Sequence, residues 1–363
     1  MAGPSLGEKG GISAVAKAML ANASTVPAID FVYIASWGGH GALARAGGFF
    51  LALLRLSWLC ARGRVDIVHL HTASRGSFMR KYILSRVASL FGVPYIVHLH
   101  GAGFHDFYRT TRLQSKVDDY FREASIVIVL GEWWKTWVDD TVGGVHAISI
   151  VRNGVPSSLA LDPGQKPART TDETGLLFLG RLGKRKGLED LLRTLAQIRA
   201  EDPTLRFSLT VGGDGDWQPF QAVVDRLGLN DCVRYMGWID SEAKLHLLDS
   251  ASVLVLPSYN EGLPVAIVEA MSRGLPVIST TVGSIPEVLE NEKEGWIIRP
   301  GDLQALKCAL LKAATDRAML TAMQANAYQR YRKSLCLDMQ MVELSSIYRR
   351  ALSGAGNEKS VKW

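Results

Sequence analysis

Short apolar runs rich in Val and Ile recur along this chain and alternate with amphipathic stretches. The runs fall at Phe31–Ala35, Ile67–His71, Tyr95–His100, Ile126–Leu130 and Ala147–Val151. They resume at Leu176–Leu179, Phe207–Val211, Val233–Met236, Val253–Leu256, Val277–Ser279 and Trp296–Ile298. Strands that are apolar on both faces belong to parallel sheets covered by helices on each side. Helical patterns intervene at Gly187–Ala200, Trp217–Leu227, Ser241–Ser250, Val265–Arg273 and Leu303–Ala314. The alternation breaks at Asn153–Gly175, a Pro-, Gly-, Ser- and Thr-rich stretch without periodicity that reads as a linker. The expected architecture is α/β, with two doubly wound, Rossmann-like domains facing a cleft. One domain covers residues 1–155 and the other 156–336. A last helix at about 337–353 is expected to pack back on the first domain. Ligands of such sheets bind beyond the carboxyl ends of the strands.

A length of 363 residues fits about two domains. With 47% hydrophobic and 21% charged residues, a disordered or collagen-like chain is excluded. Cys60, Cys232, Cys308 and Cys336 are scattered, with no CxxC spacing, and read as reduced packing residues of a cytoplasmic protein. Residues 1–11 lack the apolar core of a signal peptide. The longest apolar run, Phe49–Ala61, is interrupted by Arg55 and falls short of the roughly 20 residues of a spanning helix. It reads as a buried or surface-docked helix.

The net charge of +6 is uneven: up to Val155 there are 16 Lys and Arg against 10 Asp and Glu, and from Pro156 onward 25 of each. No helix-turn-helix, zinc-finger or RNP pattern accompanies the basic half, so nucleic acid is not an expected partner. A solvated face and an anionic membrane surface are the readings left open. For the second, Arg75, Arg80, Lys81 and Arg86 would supply the charge, beside the apolar run at 49–61.

The most informative segment is PSYNEGLPVAIVEAMSRG, residues 257–274. A strand ends at Leu256, and Pro264 suits the first position of a helix, where its missing N–H costs nothing. Gly262, Leu263 and Val265 offer backbone amides at the positive end of that helix, a ready anion site. Glu261 lies in the loop and Glu269 on the helix, placed for a sugar and for ribose hydroxyls. A second segment, LFLGRLGKRKG at 177–187, brings Arg181, Lys184, Arg185 and Lys186 to the end of another strand. Such cations suit a departing diphosphate. If the loop is exposed, losing Arg181 or Lys186 should change folding little; it lacks the GxxxxGK[ST] pattern of a Walker A site.

Weaker signals complete the set. Gly10-Gly11 before a helix at Ile12–Leu20 allows a phosphate close to the backbone. Gly213, in Gly212-Gly213-Asp214-Gly215, is a turn or phosphate-loop position, and Gly237 is a turn or a place for a base to stack. His69 and His71 end one strand, and His98 and His100 another. HxH spacing projects both rings to one face. No carboxylate or cysteine at matching spacing completes a metal site, so hydrogen bonding is the favoured role and no metal ligand is expected. His100, followed by Gly101-Ala102-Gly103, is best placed to reach a substrate.

Together these residues resemble the GT-B glycosyltransferases, specifically the retaining family 4, also called glycosyl transferases group 1. The matching pieces are Gly10–Gly11, HLHG at His98–Gly101, RNGV at Arg152–Val155, GRLGKRKG at Gly180–Gly187, GGDGD at Gly212–Asp216 and EGLPVAIVE at Glu261–Glu269. The resemblance implies that Arg181 and Lys186 neutralise the donor diphosphate, Glu269 holds the ribose and Glu261 touches the donor sugar. It implies that backbone around Gly262–Val265 and at Gly11 meets the phosphates, with His100 at the sugar. Such enzymes work without a metal or other cofactor. Two departures stand out. Family members open with a strand before the glycine loop, and here that central strand looks missing. Ser252 also stands where an acidic residue is usual.

The implied activity is transfer of a hexose from a nucleotide-diphosphate sugar to a saccharide or lipid-linked saccharide. Bacterial exopolysaccharide or lipopolysaccharide synthesis is the expected setting, in the cytoplasm or at the inner face of its membrane. A GT-B-shaped nucleotide-sugar epimerase and a non-catalytic partner subunit stand as alternatives.

Overall fold

The apolar runs are strands in a computed structural model, which describes residues 1–39, 41–166 and 173–354. In the first compact unit, β1 (Ala2–Pro4), β2 (Ile34–Trp37), β3 (Val68–Thr72), β4 (Tyr95–Leu99), β5 (Ile126–Val129) and β6 (Ile148–Ile150) form one parallel sheet. Its order is β2-β1-β3-β4-β5-β6. Helices α1 (Gly11–Ala21), α2 (Ala42–Ala61), α3 (Gly76–Leu90), α4 (Phe104–Thr110), α5 (Gln114–Arg122) and α6 (Glu132–Val142) lie between the strands in sequence. Strands β3, β4 and β5 are buried along their whole length, which is why they read as unbroken apolar runs.

The second unit, Val155–Cys336, repeats the plan. Its strands are β7 (Thr174–Leu179), β8 (Phe207–Gly212), β9 (Val233–Tyr235), β10 (Val253–Leu256), β11 (Val277–Thr280) and β12 (Gly295–Ile298), all parallel, in the order β12-β11-β10-β7-β8-β9. Its helices are α7 (Leu188–Glu201), α8 (Gln218–Leu227), α9 (Ser241–Ser250), α10 (Val265–Ser272), α11 (Ile285–Val288), α12 (Leu303–Thr315) and α13 (Arg317–Ser334). The chain then returns to the first unit as α14 (Leu337–Gly354), which buries Leu337, Met341, Leu344, Ile347, Tyr348 and Ala351. The switch between units falls after Gly154, and Asn153 and Gly154 are buried in the first unit rather than being free linker. Of the expected linker, residues 167–172 lie outside the described residues.

Three expectations are corrected. The central strand is present: β1 pairs with β2 on one side and β3 on the other. Its Ala-Gly-Pro sequence contains no β-branched residue, so propensity could not reveal it. Tertiary bonds hold it instead. Ser36 Oγ donates to Gly3 O at 2.9 Å, and the Met1 ammonium donates to Val32 O at 2.7 Å. Second, the apolar run at 49–61 is the end of a longer helix, α2, of 20 residues. Third, the basic stretch at 75–86 is not a uniform solvated face: Arg75 is exposed, but the other three cations are buried or engaged by protein groups. Lys81 is buried and donates to Ser36 Oγ at 2.5 Å. Arg86 is paired with Glu123, and the half-buried Arg80 guanidinium lies 5.9 Å from the Trp37 ring centre.

Ser252 is explained locally. Its amide donates to Gly175 O at 2.7 Å and its hydroxyl accepts from Gly175 N at 3.0 Å, tying the start of β10 to β7.

Candidate active site

In the second unit the chain lays down β7, β8 and β9 in one direction, then starts β10 on the other side of β7. The loops after β7 and β10 therefore diverge to opposite faces and leave a crevice at their carboxyl ends. Both informative segments of the sequence are these two loops. After β7, residues 184–186 make a single 3₁₀ turn, and Gly187 at φ 71° starts α7. The Lys186 stem runs across Gly180, and its ammonium is ion-paired with the Glu261 carboxylate from the loop after β10. The two side chains are only 13% and 7% exposed. Ser258 Oγ donates to the same carboxylate oxygen at 2.9 Å. The topology thus joins residues 75 positions apart. Lys186 does not meet that condition of exposure, its side chain being folded inward from the 3₁₀ turn. Arg181 remains outside this cluster, 76% exposed, with Nε 3.8 Å from Asp214.

Pro264 is the residue just before α10, one position earlier than its expected place inside the helix. No side-chain cap and no acidic residue occupy the first turn of α10, which suits its positive end to an anion. Glu269, one turn further along, accepts from Lys244 Nζ at 2.5 Å. Gly262, Leu263 and Pro264 are buried beneath the loop. Gly283, at φ 57°, packs so closely under it that a Cβ would collide with the Glu261 carbonyl oxygen.

Gly213 and Gly237 sit side by side, with Gly213 N donating to Gly237 O at 2.7 Å. A Cβ on Gly213 would strike the Gly180 carbonyl oxygen, so this glycine permits the close approach of two strand ends. At Gly237 a Cβ would meet open space.

In the first unit Gly11 is the exposed first residue of α1, whose N-terminus has no side-chain cap. His100 follows β4. Parallel pairing sets His71 directly opposite His98, so both HxH pairs point to one face. Four imidazoles result in one cluster, with ring centres 4.0 Å apart for His98 and His100 and 5.1 Å for His71 and His100. His71 Nδ1 lies 2.9 Å from His100 Nε2, His69 Nε2 3.1 Å from His98 Nδ1, and His69 Nδ1 2.6 Å from the Tyr348 hydroxyl. Burial is the main cause that drives His69, His71 and His98 well below the usual imidazole pKa, and it takes His100 to about 3. All four are neutral near pH 7.

One nitrogen from each of His69, His71 and His98 lies within 4.8 Å of the others. This three-imidazole set escaped spacing arguments because it depends on the β3–β4 register. Among the described residues no carboxylate or cysteine joins it. The imidazoles pair off as His69 with His98 and His71 with His100, leaving His71 Nε2 and His98 Nε2 buried without a hydrogen-bond partner among the described residues, and His71 is the ring that orients His100.

Sequence reasoning missed Ser258, Lys244, Tyr348 and Gly283. Ser258 was legible only as part of a loop. Lys244 sits in an ordinary amphipathic helix, and its meeting with Glu269 required the packing of α9 against α10's neighbourhood.

Two family models match the chain: "Glycosyltransferase Family 4" over residues 20–159 and "Glycosyl transferases group 1" over 164–330. The amylovoran biosynthesis glycosyltransferase AmsK of Erwinia amylovora is 29% identical over 266 residues, 70% of this chain and 62% of its own length. The chain thus spans less than two thirds of that relative. Sucrose-phosphate synthase from Thermosynechococcus elongatus superposes with a TM-score of 0.77 at 21% identity, covering 95% of this chain and 94% of its own. Anabaena HepE, solved in complex with UDP-glucose, gives a TM-score of 0.73 at 20% identity, covering 95% and 98%. Two six-stranded parallel sheets with flanking helices match the GT-B architecture of these structures. With both halves matched by the two family models, the chain belongs to the family 4 glycosyltransferases of GT-B fold.

Proposed function

We propose that the protein transfers a hexosyl group, with retention of configuration, from a nucleotide-diphosphate sugar to a saccharide or lipid-linked saccharide. The setting we assign is bacterial exopolysaccharide or lipopolysaccharide synthesis on the cytoplasmic side. The observation that carries this reading is the buried Lys186–Glu261 pair at the β7/β10 crevice. A donor diphosphate takes over Lys186, with Arg181 free to swing in, and the Glu261 carboxylate is released toward the sugar hydroxyls. Glu269 exchanges Lys244 for the ribose. Amides at the start of α10 and of Gly11 donate to phosphate oxygens, and Gly213 and Gly237 line the nucleotide. Neutral His100 gives or takes a hydrogen bond at the sugar without adding charge.

In the transfer, the bond from the anomeric carbon to the diphosphate oxygen breaks and a bond to the acceptor oxygen forms on the same face. The acceptor proton passes to the departing phosphate. No second protein carboxylate is required, unlike in glycosidases. The structure of HepE with UDP-glucose and the name of AmsK support a uridine donor and an exopolysaccharide product as first choices. With β1 in place, the motive for a non-catalytic subunit is gone.

A thermal-shift screen of UDP, GDP, ADP and dTDP tests donor binding, since a ligand at about 100 times Kd stabilises by about 2.7 kcal/mol. Turnover is read as nucleotide released only when acceptor is present. Release without net transfer, or sugar inversion without acceptor, points to the epimerase. No metal takes part in this mechanism, so EDTA is expected to leave turnover within about twofold, a metal-site dependence being far larger. Loss of activity in EDTA, restored by zinc or manganese, would reassign the histidine set.

A further inference from the structure

Helix α2 has two apolar sides. One side, with Ala52, Leu56, Leu59 and Cys60, is buried in the first unit. The other carries Leu43, Phe50, Leu51, Leu54 and Trp58, which are 90%, 58%, 66%, 51% and 48% exposed. At about 100° per residue these five project within an arc of about 100°, nearly opposite the buried set. They form a single stripe along a helix of 20 residues. By length and composition the helix could cross a membrane, and only 22% of its apolar stretch is buried, too little for an ordinary core helix. Its inner side is committed to the core, so it is built to lie along a surface rather than to span one. Next to it, α3 ends in Leu90 and Phe91, also exposed at 80% and 41%.

Charge identifies the occupant. Between Asp30 and Asp66 the chain has no acidic residue and four arginines; Arg45 is taken up by the Gly39 carbonyl and the Trp37 ring, which leaves Arg55, Arg62 and Arg64 for the outer side. The Arg62 and Arg64 guanidiniums lie 5.8 and 5.4 Å from the Trp58 ring centre. A tryptophan flanked by guanidiniums at the edge of an apolar stripe is the chemistry of a lipid headgroup boundary. An anionic bilayer meets the apolar stripe and the positive charge together, whereas an apolar partner surface alone would leave the arginines unmatched.

We propose that the outer face of α2 docks the protein on an anionic lipid bilayer, with the apolar stripe in the headgroup–acyl boundary and the arginines on lipid phosphates. This replaces the 75–86 stretch as the basic element. It deepens the assignment of a lipid-linked acceptor but stands on α2 alone, independently of the donor site.

The test is co-sedimentation of the full chain with vesicles of pure phosphatidylcholine, or with one third phosphatidylglycerol, at low and high salt. Binding is expected to the anionic vesicles and to weaken with salt. Replacing Phe50→Glu and Leu54→Glu together is expected to abolish it. Arg55→Ala, Arg62→Ala and Arg64→Ala are each expected to lower it about fivefold. These positions are exposed; calorimetric melting of the first unit checks that each variant is folded, and UDP-induced stabilisation checks its donor site. Failure of the donor reading would appear there and leave vesicle binding intact. Negligible wild-type binding to both vesicles overturns the proposal. So does unchanged binding by the double variant, or a wild-type dimer that the double variant splits, which would make a second copy the occupant.

Discussion

At the scale of single residues, Lys186 and Arg181 make separable predictions. Both are assigned to the departing diphosphate, and loss of either is expected to lower kcat by roughly 10²–10³. Arg181 is 76% exposed and weakly held, so Arg181→Ala should leave the thermal midpoint unchanged. Lys186→Ala strands the buried Glu261 carboxylate and is expected to cost about 3–5 kcal/mol as well. Combining Lys186→Met with Glu261→Gln removes both charges and should recover most of the stability but none of the turnover. Steady-state kinetics beside urea melts separate the two effects. Wild-type-like turnover in Arg181→Ala and in the double variant would refute the assignment.

At the scale of elements, the paired strands β3 and β4 make the protein acid-sensitive. Their four histidines are neutral in the folded state, with His100 held at about 3 and the others well below the ordinary value. Unfolded, each titrates near about 6.5. Below that pH the unfolded chain binds more protons than the native one, so stability falls as pH falls toward the folded values. Each histidine contributes a slope of about 1.4 kcal/mol per pH unit, and the four together as much as about 5. Lys81, lowered by burial to about 7, acts in the same direction between about 7 and 10.5, where stability rises with pH. Urea melts from pH 5 to 8 should show a steep loss on the acid side, and a flat profile would mean that the imidazoles titrate normally. Much at this scale was legible in the sequence. β10 was read to the residue, and the loops after β7 and β10 were singled out, because continuous apolar strands and glycine-rich ends carry strong local signals. The meeting of the histidines and of Lys186 with Glu261 was not legible. Those contacts follow from strand register and from the order in which strands are laid into the sheet, which no local pattern encodes.

For the molecule as a whole, the discontinuous first unit sets the expectation. Six buried apolar side chains of α14, and the Tyr348 bond to His69, complete a unit whose other residues lie before Val155. At about 1.5–3 kcal/mol for each large side chain, their removal exceeds the few kcal/mol that hold a domain folded. Truncation after Cys336 should therefore abolish cooperative unfolding of residues 1–154. The 155–336 unit, which contains every residue assigned to the nucleotide and its sugar except Gly11 and His100, should still melt and still be raised by UDP. Calorimetry with and without UDP reads both outcomes. Loss of the UDP response with α14 would show that donor binding depends on the first unit more than these assignments allow.

The ion pair between Lys186 and Glu261 also bears on discrimination among small anions. A cell offers inorganic phosphate and many nucleotides in large excess over any one donor sugar. A bare lysine would capture them indiscriminately. Here the ammonium already has a counterion in a poorly hydrated place, and a newcomer must displace it. A free phosphate replaces that single contact and leaves the carboxylate stranded. A full nucleotide sugar offers hydroxyls to the carboxylates at the same moment that it takes the lysine. The resting site is thus guarded against inorganic phosphate, which should compete poorly even where UDP, whose ribose can meet Glu269, competes well.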